Sequence, residues 1–457
     1  MNSWVSLLPP IIAIILAITT RQAYLSIFSG IVMGAVLLEG EVFAGITMSF
    51  DAVAVTFTSI SMVKSLIFIL MIGAIINILQ QSGAINEAII LLTEQKKWIK
   101  SPRGAQLLTF IMGTLMCLEG VGSMMMVGLV GQPLFAKHQL SKEKLAYIAN
   151  STGSPLAWLL PISGAGVFLT SLLNAQIDQG VLPGQPMSYV FNAIHYQFYT
   201  ILVLLSVPVL ALMKHDFPSK SPMTMTKDSV QTKDLSNSKA ITVFILMLPI
   251  VILLISIFFI IVITGDGNPL KGNISDAIYW GGFIALIGSG LVYRLVGIAF
   301  SHYMNWVIAG FKQILPAVII LVLAFTLSNI IGQLGTGTYL ASLLAANLPS
   351  EFVPAIIFVL GMTISFSTGS SGATVSILTP IAIPMAISLG LDVALVIGAV
   401  ISGAVFGDQS SPISDSVIVA SSAANCQPEQ HFRTQLPFTL GFAALSFIGY
   451  IIVGSMS

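Results

Sequence analysis

The chain contains ten apolar runs of membrane-spanning length that carry few charges. They lie near residues 4–20, 23–38, 65–82, 145–173, 191–213, 240–264, 277–299, 313–332, 392–424 and 436–454. A stretch of about 20 apolar residues is long enough to cross a bilayer as a helix. Inside lipid every backbone N–H and C=O must find its partner within the protein, so such segments form helices. The sequence therefore predicts an all-α integral membrane protein.

The composition and the scattered reactive residues agree with this class. Hydrophobic residues make up 56% of the 457 positions and charged residues only 8%, against about 25% in soluble domains. The net charge of zero gives no reason to expect a nucleic-acid partner. Cys117 and Cys426 do not suggest a disulfide framework. The five histidines show no metal spacing, and we expect His431 at the surface.

Two further apolar stretches, 104–136 and 352–388, are interrupted at their centres by the small and polar residues CLEGVGS and SFSTGSSG. Three spans, an interrupted stretch and two more spans occur in each half of the chain. Short signals repeat as well, because Pro161-Ile162-Ser163 in the first half matches Pro412-Ile413-Ser414 in the second. This order of elements predicts an internal duplication.

The positive charges indicate a topology. If both interrupted stretches are re-entrant hairpins and the N-terminus is outside, all of the 18 Lys and Arg except Lys64 and Lys271 lie on the inner side. Each half then crosses five times, and an odd number of crossings inverts the second half. We predict two inverted repeats of five transmembrane helices plus one re-entrant hairpin each, with broken helices near the midplane. The predicted parts are a first repeat at 1–214, a cytoplasmic linker at 215–238 and a second repeat at 239–457.

The segment GAVFGDQSSPISDS places Asp408 and Asp415 inside an apolar run. A carboxylate at membrane depth is costly unless it is paired, which suggests that the chain uses these acids. Pro412 between them breaks the helix and removes a backbone donor, leaving carbonyls that can bind a cation. Ser411 and Ser414 add hydroxyl oxygens, and Na⁺ is a hard cation that prefers oxygen ligands. We predict a Na⁺ site at Asp408 and Asp415. The alternative is that both acids face water at the cytoplasmic mouth.

The centres of the interrupted stretches supply further candidates. Glu119 is the one acid of the first stretch, and it could bind a cation, carry a proton or cap backbone donors. In the second stretch, Thr368, Gly369, Ser370 and Ser371 could hold an ion or a substrate carboxylate at a helix N-terminus. Close helix packing by small residues is the alternative there.

A neutral segment of the first half is predicted to match the break around Asp408. It contains Asn150, Ser151, Thr152, Ser154 and Pro155. The side-chain oxygens of the first four residues could bind an ion without adding charge. A structural break is the alternative for these residues. The predicted helix breaks are Pro412, Pro155, Pro161 and Gly369.

The strings GAVFGDQSSPISDSVIVASSA, HFRTQLPF and LAYIANSTGSPLAWLLPIS resemble the NhaC family of Na⁺/H⁺ antiporters, and FGDxxSPxSD is the most specific part. The resemblance covers most of both halves. It implies an ion-coupled secondary transporter of the inverted-repeat ion transporter type in a bacterial inner membrane. Relatives in that family exchange malate for lactate or carry amino acids. The family function would fall on Asp408, Ser411, Pro412, Ser414 and Asp415, and on the stretch from Thr368 to Ser371.

Two positions depart from the family pattern. Many members have paired aspartates where this chain has Glu119-Gly120, which leaves one acid instead of two. Many also have a tryptophan after the serines of the second stretch, where this chain has Gly372. The smaller residue enlarges the neighbouring pocket, which could admit an organic substrate.

The leading functional hypothesis is a Na⁺-coupled antiporter that exchanges Na⁺ for H⁺ by alternating access. Asp408 and Asp415 would bind Na⁺ or H⁺ competitively, with Glu119 assisting. The chain has no GxxxxGK[ST] motif, so ion gradients would drive transport. The alternative is a Na⁺-coupled symporter or exchanger of a small carboxylate or amino acid.

Other classes fit the sequence less well. The duplication disfavours a channel or a sensor. No nucleophile has a base partner at recognisable spacing, so we do not expect an enzyme or a cofactor. The expected partners are Na⁺, H⁺, the organic solute and membrane lipid. The oligomeric state stays open, and a homodimer is one arrangement.

Overall fold

The computed structural model describes residues 4–20, 22–82, 101–115, 120–161, 163–213, 240–267, 273–336, 339, 342 and 349–456. The regular elements of this part are helices. The first half contains α1 Leu8–Thr20, α2 Ala23–Glu39, α3 Val42–Thr56, α4 Ile60–Gln81, α5 Pro102–Leu115, α6 Gly120–Lys137, α7 Lys142–Leu159, α8 Gly164–Asp178, α9 Pro186–Ile194 and α10 Phe198–Leu212. The second half contains α11 Ala240–Thr264, α12 Ile274–Leu295, α13 Phe300–Leu334, α14 Val353–Thr368, α15 Ser371–Leu389, α16 Val393–Ser410, α17 Asp415–Ala423 and α18 Pro428–Gly454. Short 3-10 helices occupy Trp4–Leu7 and Ser350–Phe352.

The helices have the length and apolarity of a multi-pass membrane protein. Eight segments of the described residues can cross a membrane by these measures, or nine if α9 and α10, which meet at a 49° bend, form one span. This confirms the predicted helical membrane class. Helices α14 and α15 each qualify separately as spans. The re-entrant arrangement and the inversion of the two halves stay predictions.

Helix α3 is absent from the predicted spans because it is short and contains Asp51. Its 15 residues lie between α2 and α4. Val42 and Phe43 are 67% and 83% exposed, and Phe50 is 61% exposed. Exposed side chains of this kind are suited to contact with lipid, as in membrane helices generally.

Two glycines allow α16 to lie close against α14. A Cβ atom added to Gly403 would lie 2.4 Å from the Phe358 carbonyl oxygen, and one added to Gly407 would lie 2.3 Å from the Phe366 backbone nitrogen. Small residues permit this close approach of helix backbones in membranes. The contact brings the C-terminal end of α16 to the turn at Gly369–Ser370, where α14 ends and α15 begins.

The helix starts of the two halves recur at a constant interval of 251 positions. The paired starts are Gly120 of α6 with Ser371 of α15, Lys142 of α7 with Val393 of α16, and Gly164 of α8 with Asp415 of α17. Both α7 and α16 are 18 residues long. Ser163 and Ser414 each cap the next helix by accepting a backbone N–H. The element order within this part of each half therefore repeats.

Candidate functional site

A break in the helical backbone separates α16 from α17. The residues Ser411–Ser414 between them are not helical. Pro412 has no N–H to bond the Asp408 carbonyl four residues earlier, which favours the end of α16 at this point. The Ser414 Oγ then accepts the Ser416 N–H at 3.0 Å and starts α17. The break places the Asp408 side chain next to the start of a second helix.

The Asp408 carboxylate accepts hydrogen bonds from four serine hydroxyls. Ser154 and Ser416 each donate to Oδ2 at 2.8 Å, and Ser371 donates to the same oxygen at 3.2 Å. Ser414 donates to Oδ1 at 2.6 Å. Asp408 is only 5% exposed. Burying a carboxylate is costly, and hydrogen bonds to a charged acceptor are among the stronger ones, so the four hydroxyls offset part of that cost.

The four hydroxyls come from four different elements. Ser154 lies in α7, Ser371 begins α15, Ser414 lies in the break and Ser416 lies in α17. Together with the carboxylate they form a group of oxygen atoms that spans both halves of the chain. Hard cations bind oxygen ligands, so this group is suited to a cation such as Na⁺. Because the ligands lie on separate elements, a relative movement of these elements would change the number of oxygens available.

A partly open cavity of about 450 Å³ adjoins the Asp408 carboxylate. Ser154, Ser371 and Ser416 line it on the same side as the acid. The wall also includes Trp158, whose indole N–H donates to the Ser371 Oγ at 3.1 Å. The carboxylate is therefore buried within the helices yet borders a space that a solute can occupy.

A second polar cluster lies around Gln409, the neighbour of Asp408. The Gln409 carbonyl accepts an N–H from Asn150 at 3.2 Å and one from Gln435 at 2.7 Å. The Gln409 side chain donates to Ser151 at 2.9 Å and accepts from Tyr199 at 2.7 Å. Since the helix break disturbs the normal bonding of the last carbonyls of α16, these amides satisfy one of them from the side. The cluster fixes the end of the helix that carries Asp408.

The structure separates the predicted neutral residues from the predicted ion site. The hydrogen bonds of Asn150 and Ser151 go to the Gln409 cluster rather than to Asp408. Thr152 donates to the carbonyl of Ile148 in its own helix at 2.7 Å.

The residues predicted around the turn between α14 and α15 have different roles. Ser371 contacts Asp408, whereas Ser370 caps α15 through the Ala373 N–H. Thr368 donates to a carbonyl of its own helix at 2.9 Å. Gly369 ends α14 with a φ of 68°, a left-handed conformation that glycine adopts easily. In the other break, Ser411 accepts the Ile413 N–H at 3.4 Å.

The predicted break at Pro155 is wrong, because α7 continues through this residue from Lys142 to Leu159. The chain leaves the helix at Leu160 and passes Pro161 before α8 begins. By helix position the counterpart of the Ser411–Ser414 break is therefore 160–163, and the segment from Asn150 to Pro155 lies about one and a half to three helical turns earlier. A proline can remain inside a helix at a local cost, so its presence alone does not locate a break.

The side chains of two predicted acids lie outside the described part of the chain. Glu119 lies outside the described residues. Asp415 is described through its backbone, as the first residue of α17. Their predicted roles beside Asp408 stay predictions.

Sequence reasoning missed several residues of the site. Ser416 contacts the carboxylate directly, and Gln409 organises the second cluster. Ser154 was predicted as a neutral oxygen ligand of the first half, but its contact with Asp408 was not predicted. His431 is fully buried beside Asn150, at 3.3 Å between Nε2 and Nδ2, so the expectation of a surface position is wrong. Ser416 lies next to Asp415 in the same motif, and the concentration of hydroxyls there was the available signal. The pairing of Ser154 with Asp408 gave no local signal because the two residues are distant in sequence.

The fold and the site together define a class of protein. A multi-pass helical membrane protein has a buried carboxylate at a helix break, and this carboxylate borders a cavity between the helices. That combination is typical of secondary transporters. A sequence model of the Na⁺/H⁺ antiporter family matches residues 184–455. The chain belongs to the Na⁺/H⁺ antiporter family.

Curated relatives extend the likeness over the whole chain. A protein of Haemophilus influenzae described as uncharacterized is 31% identical over 98% of this chain and 90% of its own length. A malate-2H(+)/Na(+)-lactate antiporter of Bacillus subtilis is 31% identical over 38% of each chain.

Two solved structures share the fold. Neisseria gonorrhoeae MtrF, described as illuminating a class of antimetabolite efflux pumps, superposes with a TM-score of 0.60 over 89% of this chain and 84% of its own, at 15% identity. The Alcanivorax borkumensis YdaH transporter gives a TM-score of 0.60 over 89% and 88%, at 16% identity. At such identities the likeness concerns the fold alone.

Proposed function

We propose that this secondary transporter is a Na⁺-coupled antiporter that exchanges Na⁺ for H⁺ across a bacterial inner membrane. The observation that carries the proposal is the Asp408 carboxylate, which is buried, surrounded by four serine hydroxyls and open to a cavity. The family supplies the two ions, and Asp408 supplies a group that can bind either of them.

Competition for one carboxylate would couple the two ions. Na⁺ would bind the ionised carboxylate together with hydroxyl oxygens, which can turn their lone pairs toward the ion. A proton would neutralise the same carboxylate and remove its attraction for Na⁺. Na⁺ and H⁺ exclude each other from the carboxylate. Each time the site changes its exposure from one side of the membrane to the other, it would therefore carry one of the two ions. Asp415 and Glu119 would assist, as the sequence predicts.

Alternating access would come from a movement of one part of each repeat against the rest. The supporting observation is that Ser154 belongs to the first half, whereas Ser371, Ser414 and Ser416 belong to the second. The proposed topology has inverted repeats, an external N-terminus and a cytoplasmic linker at 215–238, and it rests on the distribution of Lys and Arg.

Purified protein in proteoliposomes tests this function, with the Na⁺ gradient and the pH gradient imposed separately. An outward Na⁺ gradient should acidify the vesicle interior. A pH gradient with the interior more acidic than the medium should drive uptake of radiolabelled Na⁺. The absence of both responses in correctly reconstituted protein would contradict the proposal.

The second candidate is a Na⁺-coupled symporter or exchanger of a small carboxylate or amino acid. The cavity of about 450 Å³ favours it, because sites for organic ligands occupy roughly 300–1000 Å³ whereas Na⁺ needs only a cage of oxygens. The name of the Bacillus subtilis relative includes both Na⁺ and organic acids. Uptake of radiolabelled acids and amino acids under a Na⁺ gradient distinguishes the two candidates. If only Na⁺ and H⁺ move, the second candidate fails.

A further inference from the structure

The cavity beside Asp408 is lined mainly by apolar side chains. Among the described residues that line it, Asp408 is the one charged side chain. Apart from Gln313, the side chains that the first half and α13 add to the lining are mainly apolar. These include Ile69, Ile72, Phe168, Ile314 and Ile320.

The recurrence of the helices at 251 positions shows how this asymmetry arises. Ala157 takes the place in the first half that Asp408 has in the second, and Ala165 takes the place of Ser416. Gly120 likewise corresponds to Ser371. All of these residues line the same cavity. At these three paired positions the second half therefore supplies a carboxylate and two hydroxyls, and the first half supplies small residues without a polar side chain. The hydroxyl that the first half does supply, from Ser154, also donates to Asp408.

The negative charge of Asp408 determines which charge an organic ligand can carry in this cavity. A ligand carboxylate would face the Asp408 carboxylate in a low-dielectric interior, and no described lining residue would supply a positive charge. An ammonium group would instead pair with Asp408. Trp158 and Phe168 line the same space as an edge-to-face pair with ring centroids 6.3 Å apart. Aromatic faces attract cations and also pack against apolar groups.

We propose that this cavity binds organic solutes that join an ammonium group to an apolar or aromatic group, in competition with Na⁺ at Asp408. The inference rests on the proposed function, since it uses the same carboxylate. The ammonium group would pair with the Asp408 carboxylate, and the apolar group would lie against the isoleucines and aromatic rings of the lining. Simple amines and amino acids share this chemistry, and the experiment below distinguishes them.

Gly372 offers a way to fill the cavity without altering the carboxylate. It lines the cavity, and a Cβ atom added there meets no atom within 4 Å. Gly372→Trp should place a large ring in the space that the organic group needs. Gly441 on α18 is exposed and also has no atom within 4 Å of an added Cβ, so Gly441→Trp is a matched control outside the cavity.

The test is displacement of radiolabelled Na⁺ from the purified full-length protein by four compounds with the same aromatic ring. These are 2-phenylethylammonium, phenylalanine, 3-phenylpropionate and 2-phenylethanol. We expect 2-phenylethylammonium to displace Na⁺ competitively, so the apparent Kd for Na⁺ should rise at least tenfold, in proportion to the amine concentration and without a plateau. Displacement by phenylalanine as well would identify amino acids as members of the ligand class. Phenylpropionate and phenylethanol should have no effect.

The variants refine this result. Gly372→Trp should weaken the binding of 2-phenylethylammonium at least ten times more than the binding of Na⁺, whereas Gly441→Trp should change neither. The series of compounds on the unmodified protein decides the matter even if Gly372→Trp does not fold. Na⁺ that resists displacement by 2-phenylethylammonium, or is displaced by phenylpropionate instead, would overturn the inference and leave the Na⁺ site intact. Na⁺ binding that persists without the Asp408 carboxylate would overturn the proposed function itself.

Discussion

The Ser154 hydroxyl on α7 donates a 2.8 Å hydrogen bond to the Asp408 carboxylate on α16, across 254 positions of the chain. This contact joins the two halves at Asp408, the one carboxylate among the described residues that line the cavity. A hydroxyl from the first half therefore completes an oxygen group that the second half otherwise builds. Movement of α7 relative to α16 would remove one oxygen from the site, which links the position of the helices to the binding of an ion.

Ser154→Ala should weaken Na⁺ binding without unfolding the protein. A hydrogen bond to a charged group contributes about 1.5–3 kcal/mol, and about 1.4 kcal/mol corresponds to a tenfold change in affinity. We expect the apparent KM for Na⁺ to rise about tenfold or more in transport assays. Ser171→Ala is the matched control, because that buried hydroxyl donates to a carbonyl of its own helix. Equal KM values for Ser154→Ala and the unmodified protein would contradict the role of Ser154.

A side chain at Gly369 should destabilise the protein by more than its left-handed backbone conformation alone would cause. Gly369 and Gly390 have φ angles of 68° and 69°, so an alanine costs about 1–2 kcal/mol at either position. A Cβ atom on Gly369 would also lie 3.0 Å from the Ile413 carbonyl oxygen in the break, whereas one on Gly390 meets nothing within 4 Å.

Thermal unfolding in detergent measures the difference between these two sites. Gly369→Ala should lower the Tm more than Gly390→Ala, because only the first substitution adds a close contact to the backbone strain. Equal losses of Tm would show that a side chain at Gly369 makes no destabilising contact with the backbone of the break.

The two amides at the end of α16 should act together on stability. Asn150→Ala or Gln435→Ala removes one donor to the Gln409 carbonyl, and loss of a buried hydrogen bond costs about 1–3 kcal/mol. Because both amides share an acceptor, the double variant should differ from the sum of the single variants. Gln430→Ala, at an exposed position of α18, is the control. Additive losses in denaturant unfolding would argue against a shared role.

Competition between Na⁺ and H⁺ gives a defined pH dependence. As the pH falls, a larger fraction of Asp408 is protonated and unavailable to Na⁺, so the apparent KM for Na⁺ should rise. The limit is about tenfold for each pH unit when one proton is displaced by one ion. Initial rates measured over a range of Na⁺ concentrations at each pH provide the test. A change in maximal rate at constant KM would contradict direct competition.

The sequence predicts the membrane class, the helix break and the acid at its end, because these features depend on local patterns. Apolar length, a proline within a span and the run of serines from Ser410 to Ser416 can all be read without a structure. The partners of Asp408 from other elements cannot, since Ser154 and Ser371 reach it only through helix packing. Pro155 shows the limit of the local signal, because α7 continues through it. Pro161, which corresponds to Pro412 at the 251-residue interval, lies outside a helix. The amides around Gln409 were hidden for the same reason, as each belongs to a different helix.

The most direct test of the central claim measures Na⁺/H⁺ exchange in proteoliposomes with Asp408→Asn. Asparagine has nearly the same shape but cannot carry the negative charge that attracts Na⁺ or accept a titrating proton. Asp392→Asn is the matched control, because Asp392 caps the opposite end of α16 and asparagine caps helices equally well. We predict that Asp408→Asn abolishes Na⁺-dependent pH change and that Asp392→Asn retains it. Full retention of exchange by Asp408→Asn would contradict the account.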